Sequence, residues 1–214
     1  MAFSYPVSLE VAGRAAVVIG AEAVRHGKAD ALLSAGARVT VIASGPVDAL
    51  ARLVGEGATV LRREYRPGDL AGAFVCVASS DDAGTRAAIF REAEERRVLV
   101  NVMDDNAHCH FAAPAVVRRG DLVIAISTGG RSPALARRLR EDLERRYGPR
   151  WKELMDVIGD VRERTLAHLP DLAERSRRWN HALDLEELEE MVGAGRAEEA
   201  RRVLEERVLA GGSA

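Results

Sequence analysis

Ala15-Ala16-Val17-Val18-Ile19-Gly20-Ala21-Glu22-Ala23-Val24 is an apolar, β-branched run that stops at a glycine and passes into alanine-spaced residues. That is the pattern of a strand turning into a helix. The helix reads on through about Ala35, Gly36 ends it, and residues 38–43 (Arg-Val-Thr-Val-Ile-Ala) are the next strand. Two strands joined through a helix are parallel, with a right-handed crossover. The alternation continues with helix 48–56, strand 59–62, an acidic turn near Asp69, strand 74–78, helix 81–97 and strand 98–102. Residues 1–113 therefore read as an α/β, Rossmann-like, doubly wound parallel sheet.

After residue 113 the texture changes. Two short strands, 115–118 and 122–127, flank Arg119-Gly120-Asp121, and helix 133–147 follows. Beyond Pro149 the spacing is helical over 151–168, 171–179, 183–192 and 197–209, with charged outer faces. The arginines at 175, 177, 178, 201 and 202 read as solvated, and residues 211–214 as a frayed tail. A lone strand pair has too few neighbours to bury itself. Residues 114–147 are thus a small dimerisation segment, and 148–214 a C-terminal helical domain.

The 214 residues carry a formal net charge of -2, which draws the chain to neither nucleic acid nor membrane. Two cysteines, Cys76 and Cys109, make no disulfide framework, and a reducing, cytoplasmic location follows. No apolar run reaches the roughly 18 residues of a membrane span, and the N-terminus lacks a basic-then-apolar leader.

In a dinucleotide-binding fold the first strand leads into G-x-G-x-x-G or G-x-G-x-x-A, each glycine admitting close backbone or phosphate approach. Of the candidate cofactor loop Gly20, Ala21, Glu22, Ala23 and Val24, only Gly20 fits. Glu22 puts bulk and negative charge where the pyrophosphate should approach. Arg25 fills the small-residue position, and Gly27 is out of phase. The second strand's end, Ile42-Ala43-Ser44, lacks the acid that grips a ribose. Two readings stay open: a plain strand-to-helix connection, or dinucleotide binding in an altered pose with Arg25 or Lys28 offsetting phosphate charge.

Three further groups carry candidate chemistry. Asp104 follows a strand end, where open α/β sheets place their ligands, and can act as general base or guide a divalent cation. Its neighbour Asp105 reads as a cap or supporting residue. Ser127, Thr128, Gly129, Gly130, Arg131 and Ser132 form a polar turn before Pro133, with Ser132 as helix cap; they read either as an anion site for a substrate carboxylate or as a turn and cap that serve folding and dimer packing. His108 and His110, alternating around Cys109, join Asp104 as a candidate metal set. The alternative is a polar loop with a buried cysteine.

In combination, Tyr5-Pro6-Val7 with Leu9, the run from Leu32 to Val41, Ala78-Ser79-Ser80-Asp81-Asp82, Asn101-Val102-Met103-Asp104-Asp105, Pro114-Ala115 and the stretch from Ser127 to Arg137 carry a resemblance. The chain resembles the precorrin-2 dehydrogenase/sirohydrochlorin ferrochelatase family, including the N-terminal part of siroheme synthase. Arg177-Arg178-Trp179 extends the likeness into the helical tail. The resemblance implies a homodimer acting on a tetrapyrrole, precorrin-2 or sirohydrochlorin. It implies NAD as oxidant and a divalent metal as second substrate, Fe2+ or else Co2+ or Ni2+. It places the catalytic aspartate at Asp104 and a phosphorylatable position at Thr128. Because the glycine loop departs from the pattern, metal insertion into sirohydrochlorin is favoured over NAD-dependent oxidation of precorrin-2. A dehydrogenase with an altered loop, or a non-catalytic tetrapyrrole- or metal-binding protein, are the alternatives.

Overall fold

The structure is a computed structural model that describes residues 5–44 and 49–210. It divides into two compact units, residues 1–113 and 114–214. In the first, β1 (Ala15–Ile19), β2 (Arg38–Ile42), β3 (Thr59–Leu61), β4 (Val75–Ala78) and β5 (Leu99–Val102) form a parallel sheet in the order β3-β2-β1-β4-β5. The chain reverses its direction of strand addition between β1 and β4, which opens a crevice at their C-terminal ends.

Strand alternation divides the core into two layers. Val18 faces α1 (Ala21–Arg25), α2 (Lys28–Ser34) and α3 (Ala49–Gly55) through Ala23, Val24, Ala29, Leu50 and Leu53. Val17 and Ile19 face the other way, toward α4 (Ala83–Arg96) through Ile89 and Ala93. Cover on both faces explains why β1 and β4 read as unbroken apolar runs. Each fully buried Leu, Ile or Val contributes about 1.5–3 kcal/mol.

The helix expected through Ala35 is two helices. Gly27 takes a left-handed backbone, φ 67°, ending α1 with its amide on the Val24 carbonyl and opening α2 with its own carbonyl to Ala31. Only the absence of a Cβ lets one residue do both without strain. The β3–β4 crossover is held by two acids. Asp69 takes two 2.7 Å bonds from the Arg63 guanidinium and one from the Arg66 amide. Glu92, buried on α4, accepts from Tyr65 Oη, the Gly68 and Leu70 amides and Arg96 Nε.

The second unit begins with a hairpin, β6 (Ala115–Arg119) antiparallel to β7 (Leu122–Ile126), turning at Gly120 with φ 59°. Helices α5 (Pro133–Arg146), α6 (Trp151–Leu166), α7 (Leu172–Ala182), α8 (Leu185–Gly193) and α9 (Ala197–Ala210) follow. Ser132 caps α5, and Asp171 and Asp184 cap α7 and α8. Trp151, Leu154, Val161, Leu188 and Leu204 build the core, and both Leu122 and Tyr147 pack on it. Residues 114–147 and 148–214 consequently share one core rather than forming two bodies.

Three arginines expected to be solvated are tethered. Arg175 donates to the Leu169 carbonyl at 2.9 Å. Arg178 donates to the Leu209 carbonyl and Glu174, and Arg201, 17% exposed, pairs with Asp160 and Glu198. The tail at 211–214 and Asp48 lie outside the described residues. Among the described residues, no helix is long and apolar enough to cross a membrane.

Candidate functional site

Gly20 stands at the end of β1 with φ 92° and ψ 147°, a conformation open essentially to glycine alone. A Cβ there would sit 2.1 Å from the Ser79 carbonyl oxygen and 2.5 Å from its hydroxyl. Ser79, at the end of β4, closes the crevice from the other side. Its amide donates to the Ile19 carbonyl, and its Oγ accepts from the Ala23 amide at 2.9 Å. The turn is therefore a cradle in which the first strand, the fourth strand and α1 meet with only the Ser79 hydroxyl between them.

A cleft of about 550 Å³ opens above this cradle, and its lining includes Gly20, Glu22, Ser44, Glu64, Arg86 and Asp104. Its size suits a small-molecule site. Glu22, Glu64, Asp81 and Asp104 bring four carboxylates to the lining, against the guanidiniums of Arg25 and Arg86. Glu22 is folded back along its own helix, 2.6 Å from Arg25 and 2.9 Å from His26. The Arg25 hydrogen bond, chiefly, holds the Glu22 carboxyl below its usual range. The negative charge at the pyrophosphate-approach position is thus met locally, by residues three and four places on.

Asp104 follows β5 with φ 60°, in the left-handed region that Asp tolerates better than most residues. It is exposed, and its carboxylate takes no hydrogen bond or ion pair among the described residues. Asp105 differs. It receives Arg86 Nε and lies against His108 Nδ1, both at 2.9 Å, and His108 first, then Arg86, holds its carboxyl below the usual value. Arg86 also donates to the Ser80 and Asp81 carbonyls, so one guanidinium knits the β4 and β5 loops together.

Asp104, His108 and His110 do not form a ligand set. The Val100 amide donates to His110 Nδ1, and His110 Nε2 turns to Glu94 at 2.5 Å. His108 packs edge-on against Phe90, which His110 also contacts, and spends Nδ1 on Asp105. The Cys109 thiol, raised by burial, bonds the Val102 and Asp105 carbonyls. Among the described residues, no three His, Cys, Asp or Glu gather to hold a metal ion. Residues 108–110 instead tie the loop to β5.

The turn from Ser127 to Ser132 holds itself. The Gly129 amide donates to Ser127 Oγ, Arg131 to the Thr128 carbonyl, and Ser132 to Thr128 Oγ1. Thr128 Oγ1 returns a bond to the Ser132 carbonyl, and Ser132 Oγ caps Leu135. Most of the amides that would meet an anion already have partners.

Residues 7–115 match a family described as "Putative NAD(P)-binding". Residues 119–146 match one described as sirohaem biosynthesis protein central, and 150–208 the sirohaem synthase dimerisation region. The chain belongs to the family of sirohaem-biosynthesis proteins. The dimerisation description attaches to 150–208, outside the segment 114–147 for which the sequence predicts that role. Among similar family members, a siroheme synthase of Pseudomonas paraeruginosa is 40% identical over 210 residues, covering 98% of this chain and 45% of that protein. Siroheme synthase 1 of Pectobacterium atrosepticum is 35% identical over 205 residues, covering 95% of this chain and 42% of that protein. The chain thus spans less than half the length of these relatives. A solved structure titled SirC, precorrin-2 dehydrogenase, superposes with a TM-score of 0.64 at 24% identity, covering 96% of this chain and 98% of that one. It shares the fold.

Ser79, Arg86 and Glu64 are cleft residues that reading the sequence did not single out for a role. Ser79 stood inside the family motif, but nothing in the string says that its hydroxyl meets an amide 56 positions earlier. Arg86 looks like any helix-surface arginine until the β5 loop is placed beside it.

Proposed function

We propose that this chain is an enzyme of siroheme formation that oxidises precorrin-2 to sirohydrochlorin, with NAD as hydride acceptor and Asp104 as general base. The observation that carries this reading is the cleft at the sheet's switch point, lined by Gly20, Ala21 and Ser79, where β1 and β4 approach so closely that only a glycine fits at position 20. Gly20, Ala21 and Ser79 would hold the nucleotide, with Glu22 drawn aside by Arg25 and His26. When bound, the nicotinamide supplies the hydride acceptor.

The oxidation removes two hydrogens. One leaves the macrocycle with its electron pair, and the other leaves as a proton from C–H or N–H. Asp104, exposed at the cleft and free of any partner among the described residues, takes that proton. The order of preference drawn from the glycine loop alone is reversed here because the Glu22 charge is balanced within its own helix.

Metal insertion into sirohydrochlorin is the second reading, favoured by the four cleft carboxylates, which draw a divalent cation such as Fe2+, Co2+ or Ni2+. Asp104 would then receive pyrrole protons as the metal enters. Residues 127–132 are proposed to engage the tetrapyrrole's carboxylate arms through Arg131 rather than through open amides. A homodimer and a cytoplasmic location complete the proposal, the latter in keeping with the free Cys76 and Cys109.

The test uses precorrin-2 with NAD, followed by NADH fluorescence, and sirohydrochlorin with ferrous iron, followed by absorbance. Asp104→Asn keeps a residue that tolerates φ 60° and should lower the proton-dependent rate roughly 10²- to 10⁴-fold with NADH affinity unchanged. An unchanged rate removes Asp104 from the reaction. Failure of the native protein in both assays leaves only the non-catalytic binding role.

A further inference from the structure

Dinucleotide-binding sheets grip the adenosine ribose with an acid at the second strand's end, and those taking a 2′-phosphate place an arginine nearby. Here β2 runs out into Ala43 and Ser44, neither of them acidic. We propose that Glu64, delivered from the loop after β3, supplies the missing carboxylate, and that the cleft therefore selects a nucleotide with a free 2′-hydroxyl over one with a 2′-phosphate. The inference rests on the NAD(P) reading above.

Position is the first support. The Ser44 hydroxyl donates to Glu64 Oε1, and both residues line the same cleft as Gly20. The Glu64 Oε2 atom accepts no hydrogen bond among the described residues, which leaves it for a ligand hydroxyl. The strand ends that frame the spot are tied together. The Gly20 amide donates to the Ile42 carbonyl at 2.8 Å, and the Ala43 amide to the Leu61 carbonyl at 3.2 Å.

Rigidity is the second. Glu64 sits between two anchored neighbours. Arg63 is clamped bidentately by Asp69 and donates to Glu64's own carbonyl at 3.0 Å, while Tyr65 Oη is bound to the buried Glu92 at 2.6 Å. An exposed glutamate ordinarily spreads over many rotamers. This one is carried on a backbone pinned on both sides and is held at its tip by Ser44.

Charge is the third. The guanidiniums that line the cleft, Arg25 and Arg86, are each paired with an acid, Glu22 and Asp105. Arg63, adjacent to Glu64 in the chain, is spent on Asp69. A 2′-phosphate would meet a carboxylate with these cations already engaged, whereas a hydroxyl would donate to it.

Fluorescence titration of the full chain with NADH and NADPH tests the assignment. The native protein should bind NADH at least tenfold more tightly than NADPH. Glu64→Gln keeps the size and the Ser44 contact but removes the charge. It should weaken NADH by roughly ten- to a hundredfold and erase the preference. NADH lacking the adenosine 2′-hydroxyl should bind the native protein as weakly as NADH binds Glu64→Gln. A purely structural glutamate would lower both affinities together and keep their ratio. Equal affinities in the native protein, or an unchanged ratio in Glu64→Gln, overturn the role of Glu64 and leave the NAD(P) reading standing. Absence of binding by either nucleotide overturns that reading and ribose selection with it.

Discussion

Gly20 and Asp104 are both held at positive φ at the tips of strands, yet for opposite reasons. Gly20 is there because the Ser79 main chain leaves no room for a side chain. Asp104 brings a side chain into a region most residues avoid, and that cost is met by the structure around it. Gly20→Ala should lose about 3 kcal/mol of stability, from backbone strain and overpacking, and should also lose nucleotide affinity. Thermal unfolding with an NADH titration checks both; a folded, tightly binding Gly20→Ala would mean that the turn relaxes freely. Gly20 and Asp104 were legible as candidates because their residue types and strand-end positions are local facts. The electrostatic meaning of Glu22 was not, since it depends on which way one side chain folds.

The β3–β4 crossover shows how an element without regular structure can be made rigid. Burial raises the Glu92 carboxyl, but Tyr65 Oη, the Gly68 and Leu70 amides and Arg96 outweigh it, and the net shift is downward. Asp69 is lowered as well, chiefly by Arg63. A folded value below the unfolded one means stability that is full above about pH 4 and lost as pH falls through the folded value. The native protein should therefore lose stability on acidification below about pH 4. Glu92→Gln should cost about 2 kcal/mol near neutrality and flatten the acid limb of that profile. Denaturant midpoints measured from pH 7 to pH 3 decide; an acid limb unaltered by Glu92→Gln would acquit this residue. Sequence located the strands and the cap at Ser132, whose signals are short-range; the caps at Asp171 and Asp184 came with the structure. It could not locate the crossover's anchors, because Glu92 lies more than 20 positions from the amides it holds.

At the level of the whole molecule, the parallel sheet and the helical region were both readable, because period-two and period-3.6 patterns survive in the bare string. Which segments share a core was less so: Leu122 and Tyr147 give no sign in sequence that they belong with α6 to α9. The second unit still carries uncovered apolar surface. Val116 and Val123 on the hairpin's outer face are 37% and 42% exposed, and Leu135 on α5 is 51% exposed. In sedimentation equilibrium the protein should run as a dimer, and Val116→Lys with Val123→Lys should shift it toward monomer without unfolding it. A dimer untouched by the pair would move the contact elsewhere on the unit.

The left-handed residue at Gly27 leaves only five residues in the helix that abuts the cradle. A helix macrodipole is a sum over aligned peptide units, and one turn sums few of them. The share of a ligand's field that α1 supplies is consequently small, and the ionisable side chains of the lining supply a share of their own. A backbone field is indifferent to acidity and to single substitutions, whereas the side-chain share can be retuned by either. The site's affinity is a property that one point change, or a modest change of ionic strength, is able to rewrite.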